Sequence, residues 1–467
     1  MGRSGYLNKI SVWDADAARH ILSRSLFGFT QQDVDFALSK TLDDFVDNYL
    51  LKDQPEPAPP IYNGTDWTIQ PHNSANQTNY TNWYYSLVFW WLNMMINQGF
   101  SFREKMVWFW SNHFVSESST VQVPQFIYLQ NKLFRRYALG NIIELTKKVT
   151  IDPAMLIYLN GNQNTKSSPN ENYARELMEL FTIGIGNYSE ADIKQAARAL
   201  TGWRINNTTL TSYFDSPRFD GGTKTFLGQT GNFGYEDIVN IIFTKPATAE
   251  FLCRKLYKEF LYYQPNEDYV KQLAEIMRAN NFNLNPVLST LLKSQYFHSE
   301  DIRGAKIKSP IELLVAAVKQ FGISTDNNFL NYIRTKSKDL QQEIFNPPDV
   351  RGWEGQRKWM STTTYPSRNN YTDSIINGVK IGSITYRTDV VAYARSFSSS
   401  EKAVQFVEDV TKLLIQFPLS QARKDFLLAT LLDGAAVYDW STYDAQAKTR
   451  LEKFFKALMR LPEFQLS

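Results

Sequence analysis

The chain has one cysteine, four histidines and almost no net charge. With Cys253 alone, neither an intrachain disulfide nor a Cys-based zinc site can form. Its setting, Phe251-Leu-Cys-Arg-Lys-Leu256, reads as that of a small buried apolar residue. The 50 Lys+Arg offset 47 Asp+Glu to leave +3. A dedicated nucleic-acid binder draws most of its affinity from phosphate neutralisation, so no nucleic acid is expected as a partner. The longest apolar run, Tyr84 to Ile96, is broken by Ser86 and Asn93. It falls short of the ~20 residues that span a bilayer, so the sequence reads as soluble, with no transmembrane segment. The opening residues, Met1 to Lys9, carry no apolar h-region and no twin arginine, so no export signal is visible.

Several chemistries are also missing. No Glu-x-x-His pair exists for a di-metal bundle, and no EF-hand loop is present, so no metal site is expected, a mixed site of carboxylates with His113 being the alternative left open. Gly221-Gly-Thr-Lys-Thr225 lacks the glycine directly before lysine that a phosphate loop needs. There is no Gly-x-Ser-x-Gly elbow. The sequence names no cofactor.

What the chain does have is aromatic bulk: 31 Phe, 25 Tyr and 11 Trp in 467 residues, ample for a large core. Helix signals dominate, and the fold expected is all-α: one large multi-helix, bundle-like domain over 1–467. Thr30 and Asp33 mark a helix start, as do Ser189 and Asp192, and Ser101-Phe-Arg-Glu104 reads as a capping box. Helices are expected at 82–98, 101–114, 126–148, 189–202, 235–262, 266–280, 286–296, 309–321, 337–344, 386–396, 400–415, 418–432 and 443–460. Two interruptions stand out. Residues 52–82, Pro- and Asn-rich, form a long loop insertion. Residues 208–233, with alternation and Gly pairs, form a small irregular or β-hairpin insertion.

The stretch from Ser168 to Gly184 reads as an amphipathic helix, with Ser168 as N-cap, Pro169 in the first turn and Glu171 closing a capping box. Tyr173, Ala174, Leu177, Met178, Leu180 and Phe181 make its apolar face. Glu171, Arg175, Glu176 and Glu179 lie opposite, and Glu171, Arg175 and Glu179 follow an i, i+4, i+8 spacing. Such a face is either a solvated surface of ordinary ion pairs or the wall of a polar cavity. In the second case Glu176 and Glu179 are candidate catalytic acids, with Glu176 at the apolar border suited to a raised pKa. Arg175, Glu171 and Arg198 are then candidate ligand contacts. Small Ala residues on 189–202 suit a close approach to this helix.

His113, in Trp110-Ser-Asn-His-Phe114, is either a hydrogen-bonded core histidine or a pocket acid/base. His20 leans to a structural role, and His72 and His298, in polar stretches, are expected at the surface. Asn346-Pro-Pro-Asp-Val-Arg-Gly-Trp353 is a rigid loop in which Arg351 and Trp353 offer a charge and a stacking plane, or merely a pin into the core.

The order of these blocks resembles the bacterial family known as domain of unknown function 1800. The resemblance rests on Asn170–Gly184 running on to Ala196-Ala-Arg-Ala-Leu-Thr-Gly-Trp203. His20–Gly28, Glu104–Phe114, Lys224–Gly228 and Pro347–Trp353 reinforce it. It implies a helical protein, often exported, and carries over no activity. Family members often place a His just before the Asp ahead of Lys224. This chain has Phe219-Asp220, so Asp220 is kept as a ligand-binding candidate, while any ligand or base role of that His does not carry over.

Two functions remain open from sequence. One is an enzyme with a carboxylate–arginine pocket, hydrolase-like and glycan-directed, since paired carboxylates with Trp platforms suit glycoside chemistry. The other is a non-catalytic ligand-binding or assembly protein using the same aromatic cavity. A small molecule or glycan is the expected ligand in either.

Overall fold

In a computed structural model, residues 5–467 are described; more than half the chain is helical, with only a few short two-stranded sheets. The protein is thus mostly all-α. Helices begin where cap chemistry and an apolar stripe coincide. At Gln31–Leu38 the Thr30 N–H donates to the Asp33 carboxylate (2.8 Å), and the Asp33 N–H returns to the Thr30 hydroxyl (3.4 Å). Ser189 and Asp192 repeat this reciprocal box at Glu190–Ala199.

Other boundaries differ from expectation for local reasons. The 126–148 segment divides into Pro124–Arg136 and Ile142–Thr150, where Asn141 caps the second helix. The 235–262 segment breaks before Pro246, which cannot continue Tyr235–Phe243 but suits the first turn of Pro246–Phe260. The helix expected at 337–344 lies earlier, at Asn327–Asp339, capped by Asp326. Helices Pro153–Tyr158 and Thr364–Asn377 come in addition to those the pattern predicts. The capping box at Ser101–Glu104 does not form. Ser101 Oγ accepts from the Arg103 N–H, while Glu104 turns inward.

Helix Arg103–His113 is buried along nearly its whole length and sits centrally. Its two buried charged residues are therefore paired. Glu104 receives a bidentate contact from Arg135 (2.9 and 2.8 Å) and the Trp91 indole N–H (3.0 Å). Lys105 donates to Glu312 (2.5 Å), which also accepts from Lys306 (3.1 Å), and Lys306 reaches on to Glu259 (3.2 Å). Buried charges left without such partners would cost several kcal/mol each. One hydrophobic cluster runs around this helix from Ala18 to Phe464.

The 52–82 stretch is held down by aromatic and arginine side chains. Trp67, fully buried, stacks on Trp83 at 5.6 Å and donates to Ser86. Arg103 donates to the Gln54 and Pro55 carbonyls, and Trp90 to that of Ala58. Near 208–233, two hairpins form: Trp203–Asn206 with Thr211–Phe214, and Lys224–Phe226 with Gln229–Gly231. The second turns on Leu227-Gly228, both with positive φ, the geometry that a two-residue hairpin loop demands. Among the described residues, no helix is long and apolar enough to cross a membrane.

Candidate functional site

The stretch from Ser168 to Gly184 does not form the single capped helix expected. Asn164 Oδ1 accepts the Asn170 N–H (2.9 Å) while its amide donates to the Ala197 carbonyl, and Thr165 bridges to Ser168. These contacts hold residues 164–170 off the helical path, so Ser168 caps nothing and the helix starts at Asn172. It runs to Glu176 and then widens into an i→i+5 turn over Leu177–Thr182. Its apolar residues Tyr173, Ala174, Leu177, Met178 and Phe181 are buried. It packs beside Glu190–Ala199, whose Ala196, Ala197 and Ala199 are buried.

The polar side of this segment divides. Arg175 makes a bidentate contact with Glu190 (2.9 and 2.8 Å) and a longer one with Glu171 (3.5 Å), in an exposed cluster. Glu179 accepts from the Tyr188 hydroxyl (3.2 Å). Glu176 is half-buried, and burial, then the charge of Glu179, raises its pKa. Burial, then the charges of Glu117, Asp349 and Glu176, hold the Tyr158 phenol above its ordinary range. Arg198 grips Asp220 through two contacts (2.6 and 3.1 Å). The Asp220 carbonyl and that of Gly222 accept from Lys224, a fully buried lysine lying over the Phe219 ring at 4.8 Å. Asp220 therefore ties the second hairpin to helix Glu190–Ala199.

His113 and Trp353 meet elsewhere. The Asn112 side chain clamps the Trp353 backbone, its Oδ1 accepting the Trp353 N–H (2.7 Å) and its amide donating to the Trp353 carbonyl (3.2 Å). The approach requires Gly352, at φ +79°, because a Cβ there would lie 2.3 Å from Asn112 Oδ1. Thus placed, the Trp353 ring stacks on Trp108 at 5.4 Å, nearly parallel. One turn on from the neighbouring Phe109, His113 Nε2 is 2.9 Å from the Phe181 carbonyl. A carbonyl only accepts, so Nε2 carries the proton and Nδ1, buried and without a protein partner, is a bare acceptor. Burial, then the nearby Lys255, lower the His113 pKa to about 3, so the ring is neutral.

These residues border a cleft of about 660 Å³. Its aromatic lining is Trp108, Phe109, Tyr263, Trp353 and Trp359, and Leu180 reaches it from the widened turn. Its basic side chains are Lys255, Lys258, Lys306, Arg351, Arg357 and Lys358, against only Glu259 and Glu354. Both carboxylates are already committed: Glu259 to Lys306 (3.2 Å), and Glu354 to Lys358 (3.6 Å). Arg351, exposed, is engaged by Asp349 (2.8 Å). Lys255, Lys258 and Arg357 have no carboxylate within ion-pair distance among the described residues. Lys255 lies over the Phe251 ring (5.7 Å) and Arg357 over that of Tyr263 (5.4 Å). Burial, then Lys258, bring the Lys255 pKa down to about 8. A second, smaller recess of about 480 Å³ holds His72, Arg204 and Arg218 but no tryptophan.

Of the residues singled out from sequence, the cleft thus gathers His113, Arg351 and Trp353. Glu171, Arg175, Glu176, Glu179, Arg198 and Asp220 are not among its lining residues. Lys255, Lys258 and Arg357 escaped the sequence reading. A signal for two of them was present: Phe251, Lys255, Lys258 and Glu259 fall at i, i+4, i+7 and i+8, one face of a helix. His298, expected at the surface, is buried against His20 and Phe297, with Nε2 on the Leu292 carbonyl. Among the described residues, no group of three or more His, Cys, Asp or Glu side chains could hold a metal ion.

The sequence profile of the family described as "Protein of unknown function (DUF1800)" matches residues 20–466, and the chain belongs to that family. No curated protein and no solved structure matches it.

Proposed function

We propose that the Trp353 cleft binds a small anionic ligand with a flat apolar face, an acidic sugar being the type that fits best. The observation that carries this reading is the set of three cations without carboxylate partners, Lys255, Lys258 and Arg357, around an aromatic floor. Unpaired like charges in one concavity repel each other, and an incoming anion relieves that cost while sugar or heterocycle faces stack on aromatic rings. The volume suits a ligand of metabolite size. Hydrolysis by paired carboxylates is less well supported, because Glu259 and Glu354, the two in the cleft, are each ion-paired with a lysine. Glu176 and Glu179 are not among the residues that line the cleft.

The test is a fluorescence titration that follows tryptophan emission with galacturonate oligomers and with their neutral galactose counterparts. Quenching by the acidic series alone, weakening as salt is raised, is the expected result. Equal response to both series, or to neither, would remove the charge-based reading.

A further inference from the structure

Resting on that reading of the cleft, we propose that Lys255 is a carbonyl-reactive amine that forms a Schiff base with anionic ligands bearing an aldehyde or ketone, such as keto sugar acids.

Lys255 projects from helix Pro246–Phe260 into the cleft, half-buried, with its ammonium over the Phe251 ring and no carboxylate to hold it charged. Phe251 also contacts His113, whose ring centroid is 6.5 Å away, so the amine and the neutral imidazole share one aromatic neighbour. His113 Nδ1, buried and unpartnered, needs a donor on its side of the wall; a lysine N–H or the hydroxyl of an addition intermediate would supply one. Lysines desolvated beside another cation are the ones that lose their proton near neutral pH and serve as nucleophiles. Lys258 is that second cation. With its pKa near 8, half of Lys255 is free amine at pH 8. An ordinary lysine has about a hundredfold less. The lower basicity weakens each attack, so a net advantage of about tenfold is expected.

The step balances without an oxidant. The Nζ lone pair adds to the carbonyl carbon, and the carbonyl electron pair moves to oxygen, which takes a proton from solvent. The nitrogen releases one proton. The hydroxyl then leaves as water with a second proton from solvent, giving the protonated imine. The neighbouring cations hold the ligand's anionic group, while burial, then Lys258, favours the unprotonated amine.

The test uses pyridoxal 5′-phosphate as an anionic carbonyl probe and 4-deoxypyridoxine 5′-phosphate as its carbonyl-free control. Borohydride reduction fixes any imine, and peptide mapping locates it. The expected result is labelling at Lys255 about tenfold faster than at exposed lysines, levelling off above pH 8 while surface labelling still climbs. Lys255→Arg, which retains a cation at that position, should abolish that adduct, while tryptophan quenching by the control in the unaltered protein shows that the cleft is occupied. Labelling spread over lysines according to exposure, with the control bound in the cleft, would overturn the proposal and leave the cleft reading standing. Failure of both probes to bind would overturn both.

Discussion

Gly352 shows how one residue places a candidate binding group. Its positive φ and its contact with Asn112 both exclude a side chain, and the next residue, Trp353, depends on that contact for its stacking on Trp108. Gly64 offers a clean comparison, since its φ is +76° but a Cβ added there would meet nothing within 4 Å. Gly64→Ala should therefore cost only the left-handed strain, about 1 kcal/mol. Gly352→Ala must also displace Asn112 or the loop, and about 2 kcal/mol more is expected by analogy with overpacked cores. Urea denaturation of both variants checks this. Equal losses would mean that the Asn112 clamp does not constrain the loop. Glu104 teaches a different lesson at the same scale. In sequence it completes a capping pattern three residues after Ser101, yet the partner that claims it, Arg135, lies 31 residues away. No local rule can see that competitor.

At the scale of elements, what was legible is what local chemistry decides. Thr30–Asp33 and Ser189–Asp192 need nothing beyond four consecutive residues, and both boxes form. Pro246 marked the break in 235–262 for the same kind of reason, though the apolar pattern ran on across it. The start at Ser168 failed because Asn164 and Thr165, from outside the helix, accept the Asn170 and Ser168 N–H groups, while the Ala197 carbonyl holds the Asn164 amide in place. The widened turn at Leu177–Thr182 is likewise invisible to a 100° periodicity, since the same residues satisfy both windings. Of the candidate site, His113, Arg351 and Trp353 were recognisable as aromatic and charged residues at element ends. Their convergence was not, because it depends on a clamp between residues 241 apart. The acidic face attracted attention because its spacing is regular, but regular i, i+4 spacing is also what surface ion pairs use, and Arg175 makes them.

For the whole molecule, burial keeps three of the four histidines neutral. Burial is the largest cause in each case: it lowers His20 well below 6.5, His113 to about 3 and His298 to about 4. The unfolded chain takes up protons at these sites below pH ~6.5 while the fold does not, so stability is lost as pH falls through that value. Asp152 acts in the opposite sense. Burial raises its carboxyl to about 7, so the fold binds a proton there that the unfolded chain does not take up until pH ~4. Three histidines less one carboxyl leave about two protons, or about 3 kcal/mol per pH unit, between about pH 6 and 4.5. The smaller rise at Glu176 trims that slope. Urea midpoints measured across this range should drop steeply. A flat profile would show that the histidines are hydrated or charged in the fold.

The central claim is that ligand is held at the Trp353 cleft and not on the acidic face of 171–179. It is tested most directly by comparing the affinity of one acidic probe, trigalacturonate, for two charge variants. Lys258→Gln/Arg357→Gln removes two exposed, unpaired cations at the cleft, and Glu176→Gln/Glu179→Gln neutralises the other face. The expected result is a loss of about tenfold or more, some 1.4 kcal/mol, for the first pair and no change for the second. Undiminished affinity in the first variant, with loss in the second, would contradict the account.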